Sequence, residues 1–249
     1  MKIVGRIESL WRYPVKSMMG EQLSEAYLWG GGVFGDRRYG FLTSAAPADF
    51  PYFTARERHD MLLHRASYRH PDKMIRPNGG LSPDDGAIVV ETPQGEQLAV
   101  DDPRLIELLR VGVRERHHIT LIHSENAIVD SRPVSLFSLQ TLNHLSRENG
   151  MELDKRRFRA NIYVDLGAEG GFTEDDWVGR RLRMGSDAIV EISKRNQRCK
   201  LITLHPDSIE ATPEVMSRLA RDHEMRAGIY ATVVAQGMVS AGDEIRLLD

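Results

Sequence analysis

The chain has 249 residues, with 33 basic against 36 acidic side chains and a formal net charge of −3. Apolar residues make up 41% and charged residues 28%, an ordinary globular mix that excludes disorder, collagen and coiled coil. The near-neutral balance also argues against a dedicated nucleic-acid binder, which carries a strongly basic face.

No stretch approaches the roughly 20 apolar residues needed to cross a bilayer. Charges at Lys2, Arg6 and Glu8 make the start unlike a signal peptide. The single cysteine, Cys199, excludes an internal disulfide, a Cys-rich zinc site and an iron–sulfur cluster held by this chain. These features predict a cytoplasmic protein in which any thiol chemistry falls to Cys199.

Ile3 to Trp11 alternates loosely and predicts a strand stopped by Pro14. The glycine cluster Gly30 to Gly35 precedes a second strand, Arg38 to Thr43. Residues 44 to 85 mix Pro, His and Arg and predict long excursions, with one helix or strand that the pattern does not place. Ala87–Glu91 and Glu96–Val100 read as a hairpin through Thr92-Pro-Gln-Gly95. Asp102-Pro103 opens a short helix, for which Leu105, Ile106, Leu108 and Leu109 are the expected buried side. Ile119 to His123 is expected to be a strand.

A helix over Ser138 to Glu148 has Leu139, Leu142 and Leu145 on one face, Ser138 as N-cap and Asn149-Gly150 as its stop. Five strands are expected after it: Arg159–Asp165, Arg180–Met184, Ala188–Ser193, Ile229–Val234 and Glu244–Leu247. A helix around Pro213 to Asp222 interrupts them. Short strands at this spacing predict a mainly β fold with a few helices, of α+β type, in two β-rich lobes meeting near residues 115 to 120.

Gly30-Gly-Gly-Val-Phe-Gly35 satisfies the letters of a dinucleotide fingerprint, but a strand is expected after it where the fingerprint needs a helix N-terminus. His117, His118 and His123 form the densest histidine group, without a His-Glu-x-x-His pattern or an i, i+4 pair on a helix, and read as surface residues. Ser131, Ser135 and Ser138 lack a nucleophile elbow. More informative are Lys16-Ser17 after Tyr13-Pro14, Asp36-Arg37, and Phe158-Arg159-Ala160-Asn161. A compact ammonium and planar guanidiniums together suit an anionic phosphate, although each residue alone reads more readily as a salt-bridged surface group. Cys199 lies among Lys194, Arg195, Arg198 and Lys200, whose charge favours a thiolate that can serve as nucleophile or soft-metal ligand. A small buried thiol is the competing reading.

Tyr13-Pro-Val-Lys-Ser17, Gly35-Asp-Arg37 and Phe53-Thr-Ala-Arg56 resemble the N-terminal half of the MOSC (molybdenum cofactor sulfurase C-terminal) family. Phe158-Arg-Ala-Asn161, Arg198-Cys199 with Thr203 and Pro206, Gly228-Ile-Tyr230 and Ala241-Gly-Asp-Glu-Ile245 resemble its MOSC half, in the same order. Within that family the motifs look most similar to the mitochondrial amidoxime-reducing component and its bacterial relatives. The resemblance implies an N-terminal β-rich domain over residues 1–118 and a MOSC β-barrel domain over 119–249, with a molybdenum pyranopterin cofactor between them. It makes Cys199 the thiolate ligand of molybdenum. Lys16, Ser17, Arg37 and Arg159 match positions holding the cofactor's phosphate and pterin, and Ser131, Asn161 and Arg198 match further pocket positions. Asn196 stands where relatives often carry a second cysteine, His205 replaces an acid, and Arg132 replaces a small hydroxyl residue.

The implied activity is reduction of small N-hydroxylated molecules, with N–O cleavage by oxygen-atom transfer. The chain ends at Asp249 without a ferredoxin-like extension, so the expected electron source is a separate ferredoxin- or cytochrome b5-type protein. Two alternatives remain open: a sulfur transferase carrying a persulfide on Cys199, and a non-catalytic cofactor carrier.

Overall fold

Alternating apolar side chains along the first dozen residues form a long strand with one buried face, and glycine-punctuated short strands follow it. A computed structural model describes residues 2–77, 82–113, 117–167 and 170–248. The chain opens with β1 (Lys2–Arg12), β2 (Glu21–Leu23), β3 (Glu25–Trp29) and β4 (Gly32–Val33). It continues through β5 (Tyr39–Thr43), β6 (Tyr52–Phe53), β7 (Arg65–Tyr68), β8 (Ile88–Glu91) and β9 (Gln97–Ala99). Then come α1 (Pro103–Arg110), β10 (Ile119–His123), β11 (Val134–Ser138), α2 (Leu139–Asn149) and β12 (Ile162–Asp165). The last elements are β13 (Arg181–Met184), β14 (Ala188–Gln197), α3 (Pro213–Asp222), β15 (Arg226–Ala235), β16 (Gly237–Ser240) and β17 (Glu244–Leu247). The fold is mainly β with three α-helices among the described residues, as the sequence predicts.

Two compact units divide the chain, and they are not contiguous in sequence. The first gathers residues 1–11, 22–34 and 130–249; the second gathers 12–21 and 35–129.

In the first unit, strands in the order β12-β11-β15-β14-β13-β17-β1 form a barrel of seven, closed by the pairing of β1 with β12. The β11–β12 pair is parallel, whereas β11 with β15, β14 with β15 and β1 with β17 are antiparallel. A small sheet, β16-β3-β4, accompanies the barrel. Its core contains Ile7, Leu10, Leu136, Ile162, Val164, Leu182, Val190, Ile229 and Ile245. On the scale of 1.5–3 kcal/mol per large apolar side chain, this burial is the main stabilising contribution to the unit. A second cluster packs α2 and α3 through Leu145, Val215 and Leu219 against Phe137, Phe158 and Ile202.

The second unit holds two three-stranded sheets, β10-β5-β6 and β7-β8-β9. Phe41, Phe53, Met61, Ala66, Ile88, Val90 and Leu98 are among its buried residues. Helix α1 packs against β9 and β10. Asp102 caps it by accepting from Arg104 N, and Pro103 starts its first turn.

Two local expectations need correction. In α1 only Leu105 and Leu109 are buried; Leu108 is exposed and Ile106 half-buried, because residues 105 and 109 share a helix face and the other two flank it. The strand expected from Arg159 starts at Ile162. Lys155–Phe158 forms a 3-10 turn capped by Asp154, and Arg159 ends it in the left-handed region.

Candidate functional site

The thiol is placed by the end of β14, where the antiparallel pair β14–β15 gives way to the connection that carries α3. Strand β14 runs to Gln197, and Arg198 N then donates to Met225 O at 2.8 Å, just before β15. Cys199 follows in extended backbone (φ −119°, ψ 175°), half-buried, at the head of a 3-10 turn over Lys200–Thr203. Thr203 Oγ1 closes that turn on Lys200 O at 2.7 Å. From outside it, the buried Arg157 donates through Nη1 to Thr203 O at 2.7 Å. Burial pulls Arg157 below the usual arginine range, with the charges of Asp154 and Glu210 opposing. A guanidinium aimed at carbonyls therefore fixes the loop that carries the sulfur.

Arg198 sits beside the thiol in the sequence and is only 8% exposed. Its Nε donates to Ala227 O and its Nη1 to Phe158 O, both at 2.7 Å. Phe137 and Phe158 stack on each other at 4.1 Å, and the guanidinium carbon lies 5.4 and 5.3 Å from their ring centres. It makes no ion pair with a described carboxylate, and its Nη2 is buried without a hydrogen-bond partner. Desolvation dominates and lowers its pKa from the ordinary value. Gly228 leaves Nη2 its space: a Cβ there would lie 3.0 Å from Nη2 and 2.6 Å from Leu136 O, on a backbone with φ of +71°.

The other three cations near Cys199 in the sequence are placed differently. Arg195 pairs with Asp175 at 2.7 Å and with Glu224 at 3.4 Å. Asp175 is nonetheless pushed up to about 6, because burial outweighs the Arg195 charge. Lys194 is exposed over the Tyr230 ring, and Lys200 is exposed. Arg198 is therefore the buried cation of that run.

Arg159, in the left-handed region at φ 48°, directly follows Phe158, whose carbonyl binds Arg198. Asn161 is almost fully buried, and its side chain ties three segments. Oδ1 accepts from Ser135 N and Oγ at 3.2 and 3.0 Å, and Nδ2 donates to Trp11 O at 3.3 Å. Ser131 is half-buried in the segment leading into β11.

In the second unit, residues 13–16 run alongside 37–39. Arg37 N donates to Tyr13 O, Tyr39 N to Pro14 O and Lys16 N to Tyr39 O. The buried Asp36 accepts from Tyr13 N at 2.7 Å and pairs with Arg37. The Arg37 guanidinium stacks over the Tyr13 ring at 4.8 Å. Lys16 is 6% exposed; its Nζ donates to Ile128 O at 3.1 Å and lies 5.0 Å from the Tyr52 ring centre and 5.6 Å from that of Phe50. Ser17 follows at φ 70° and is buried.

Seven non-glycine residues have positive φ among those described, and Ser17, Arg37 and Arg159 are three of them. Left-handed backbone at a non-glycine residue costs about 1–2 kcal/mol and concentrates where a side chain must be aimed. That conformation marks three sites chosen from sequence on other grounds. The sequence reading missed Arg157 and the space kept by Gly228. Arg157 stands in a charged run that gives no sign of burial, and the close approach at Gly228 is visible only in three dimensions.

Two family profiles cover nearly the whole chain: the MOSC N-terminal beta barrel domain over residues 4–118 and the MOSC domain over 121–246. The chain belongs to the MOSC family, which is tied to the molybdenum cofactor. A curated relative, a molybdenum cofactor sulfurase of Drosophila mojavensis, is 30% identical over 106 residues; the match takes in 42% of this chain and 13% of that protein's length. Among solved structures, the YUAD protein from Bacillus subtilis matches with a TM-score of 0.51 at 17% identity, covering 98% of this chain and 94% of that one. YiiM from Geobacillus stearothermophilus gives 0.38 at 18% identity, over 47% and 55% of the two chains.

Proposed function

We propose that this MOSC protein is a molybdenum-cofactor oxidoreductase that reduces small N-hydroxylated molecules, with electrons supplied by a separate ferredoxin- or cytochrome b5-type protein. One observation carries the reading. The sole thiol is half-buried directly after a buried guanidinium with no carboxylate partner and an unused Nη2. A buried donor left unmade costs about 1–3 kcal/mol, so a site that retains one suits an anionic ligand. Soft sulfur suits a thiophilic metal, and a guanidinium suits the anion attached to it.

In this reading Cys199 is the protein's ligand to molybdenum, and Arg198 donates to the bound group through Nη2. Arg159 binds its phosphate or pterin, and Arg157 holds the Cys199 turn in place. Asn161 acts by bracing β11 against the segment before β12, with Ser131 on the approach to β11. Lys16, Ser17 and Arg37 enter as phosphate- and pterin-binding residues through the sequence resemblance, supported by the left-handed backbones of Ser17 and Arg37. When bound, the cofactor supplies the two-electron chemistry that takes oxygen from nitrogen; the chain's share is binding, orientation and the exclusion of competing ligands. Cofactor-loaded protein reduced with dithionite is expected to convert benzamidoxime to benzamidine. Firm cofactor binding without turnover would assign the protein to cofactor carriage instead.

The match to a protein named molybdenum cofactor sulfurase favours a second reading, sulfur transfer through a persulfide on Cys199. Mass spectrometry of the Cys199 peptide separates the two: a persulfide in molybdenum-free protein favours transfer, and an unmodified thiol favours the reductase.

A further inference from the structure

A second group of metal-ligating side chains lies in the first unit, apart from Cys199 in the sequence. His144 and Glu148 stand one turn apart on α2, and His223 caps the C-terminal end of α3. His144 Nε2 lies 3.1 Å from Glu148 Oε1; His223 Nε2 lies 3.1 and 2.9 Å from the two oxygens of the same carboxylate. One donor atom from each of the three residues falls within 4.8 Å of the others. At zinc bond lengths of about 2.0–2.1 Å, tetrahedral ligand atoms stand roughly 3.3 Å apart, so the nitrogen–oxygen edges already have nearly the required separation.

The surroundings preorganise the rings. Phe172 stacks on His223 at 4.1 Å and 20°, and meets His144 edge-on at 5.5 Å. Gly171 lets the chain lie against His144, since a Cβ there would come within 2.5 Å of the His144 Cβ. Side-chain exposures of 36%, 24% and 15% for His144, Glu148 and His223 leave a path for an ion and a water. Glu148 forms no ion pair with a described lysine or arginine, so no guanidinium occupies the cation's place. Among the described residues, the other cluster of this kind, Asp154, His205 and Asp207, differs on that point: Arg156 bridges its two carboxylates at 2.6 and 2.5 Å.

We propose that His144, Glu148 and His223 form a zinc site that ties the C-terminal ends of α2 and α3, with a fourth position open to water. Two imidazoles and one carboxylate with an open position form a ligand set that binds Zn²⁺. The proposal is independent of the cofactor reading, because it uses neither the thiol nor its neighbours.

The test uses the full chain, stripped with chelator and dialysed against ZnSO4. One Zn²⁺ per chain and a raised Tm are expected, both retained in Cys199→Ser and Asp207→Asn. Glu148→Gln and His223→Gln should each weaken binding at least about tenfold, with circular dichroism confirming that the apo variants are folded. X-ray absorption of zinc on the wild-type chain gives a reading that does not depend on any variant, and an imidazole and oxygen shell without sulfur is expected. No binding, binding that survives both variants, or a zinc–sulfur distance near 2.3 Å would each overturn the site.

Discussion

Arg157 and Arg198 are both buried and both donate to backbone carbonyls, yet they serve different ends. Arg157 points at Thr203 O and holds the turn that follows Cys199. Arg198 spends Nε and Nη1 on the frame and keeps Nη2 unused. Arg159 and Lys16 are the residues whose loss should be felt in cofactor affinity. A charge-assisted hydrogen bond contributes about 1.5–3 kcal/mol, so removing either side chain should weaken binding roughly tenfold or more. Arg159→Ala and Lys16→Ala are each expected to purify with lowered molybdenum content from a host that makes the cofactor, with circular dichroism confirming that both are folded; Lys16→Ala should also lower the melting temperature, because its buried Nζ donates to Ile128 O. Full loading of both would remove them from the cofactor site. Arg159→Gly refines the test, since glycine accepts the left-handed backbone without strain and isolates the loss of the guanidinium.

Helix α2 is where one element joins the barrel to the helical layer. Ser138 closes β11, caps α2 by accepting from Thr141 N at 3.0 Å, and donates through Oγ to Glu174 at 2.8 Å. Glu174 is fully buried, and it also accepts from Ser138 N and from Thr141 Oγ1. Ser138→Ala therefore removes a cap and leaves a buried carboxylate with one donor fewer. A loss of about 1–3 kcal/mol is expected, read as a lowered Tm and denaturation midpoint, with the retained Thr141 donor limiting the effect. Stability within a few tenths of wild type would show that the cap contributes little.

The same element shows how far the sequence can be read. Ser138 and Gly150 bound α2 in both sequence and structure, because capping chemistry is local. Strand β11 went unread although all five of its residues are buried. Its serines break the alternation that marks a half-buried strand, and Ser135 is buried because Asn161, distant in sequence, satisfies it. Arg159 is expected on a strand from the sequence, and it ends a 3-10 turn instead. The signal for the turn before it was the Asp154 cap, which a run of lysine and arginine obscured. The cations around Cys199 looked alike in sequence, and only burial separates Arg198 from Arg195, which is committed to Asp175.

At the scale of the whole chain, the mainly β character was legible in the spacing of strands, and the order of short motifs carried the family. Closure of the barrel was not, because β1 pairs with β12 across some 150 residues and no local pattern encodes that register. Nor does periodicity reveal that residues 12–21 and 35–129 form one unit while the segments on either side form the other. Such long-range pairing is fixed by complementary buried faces, whose partners a single stretch of sequence does not name. Among the described residues, no helix is long and apolar enough to cross a membrane.

The central claim is that Cys199 binds molybdenum as part of a pyranopterin cofactor, and metal analysis tests it most directly. Wild-type protein and Cys199→Ser, purified side by side from a host competent in cofactor synthesis, should differ sharply. Close to one molybdenum per chain is expected in the first and almost none in the second, with matching circular dichroism. Molybdenum-free wild-type protein, or equal loading of the two, would contradict the account.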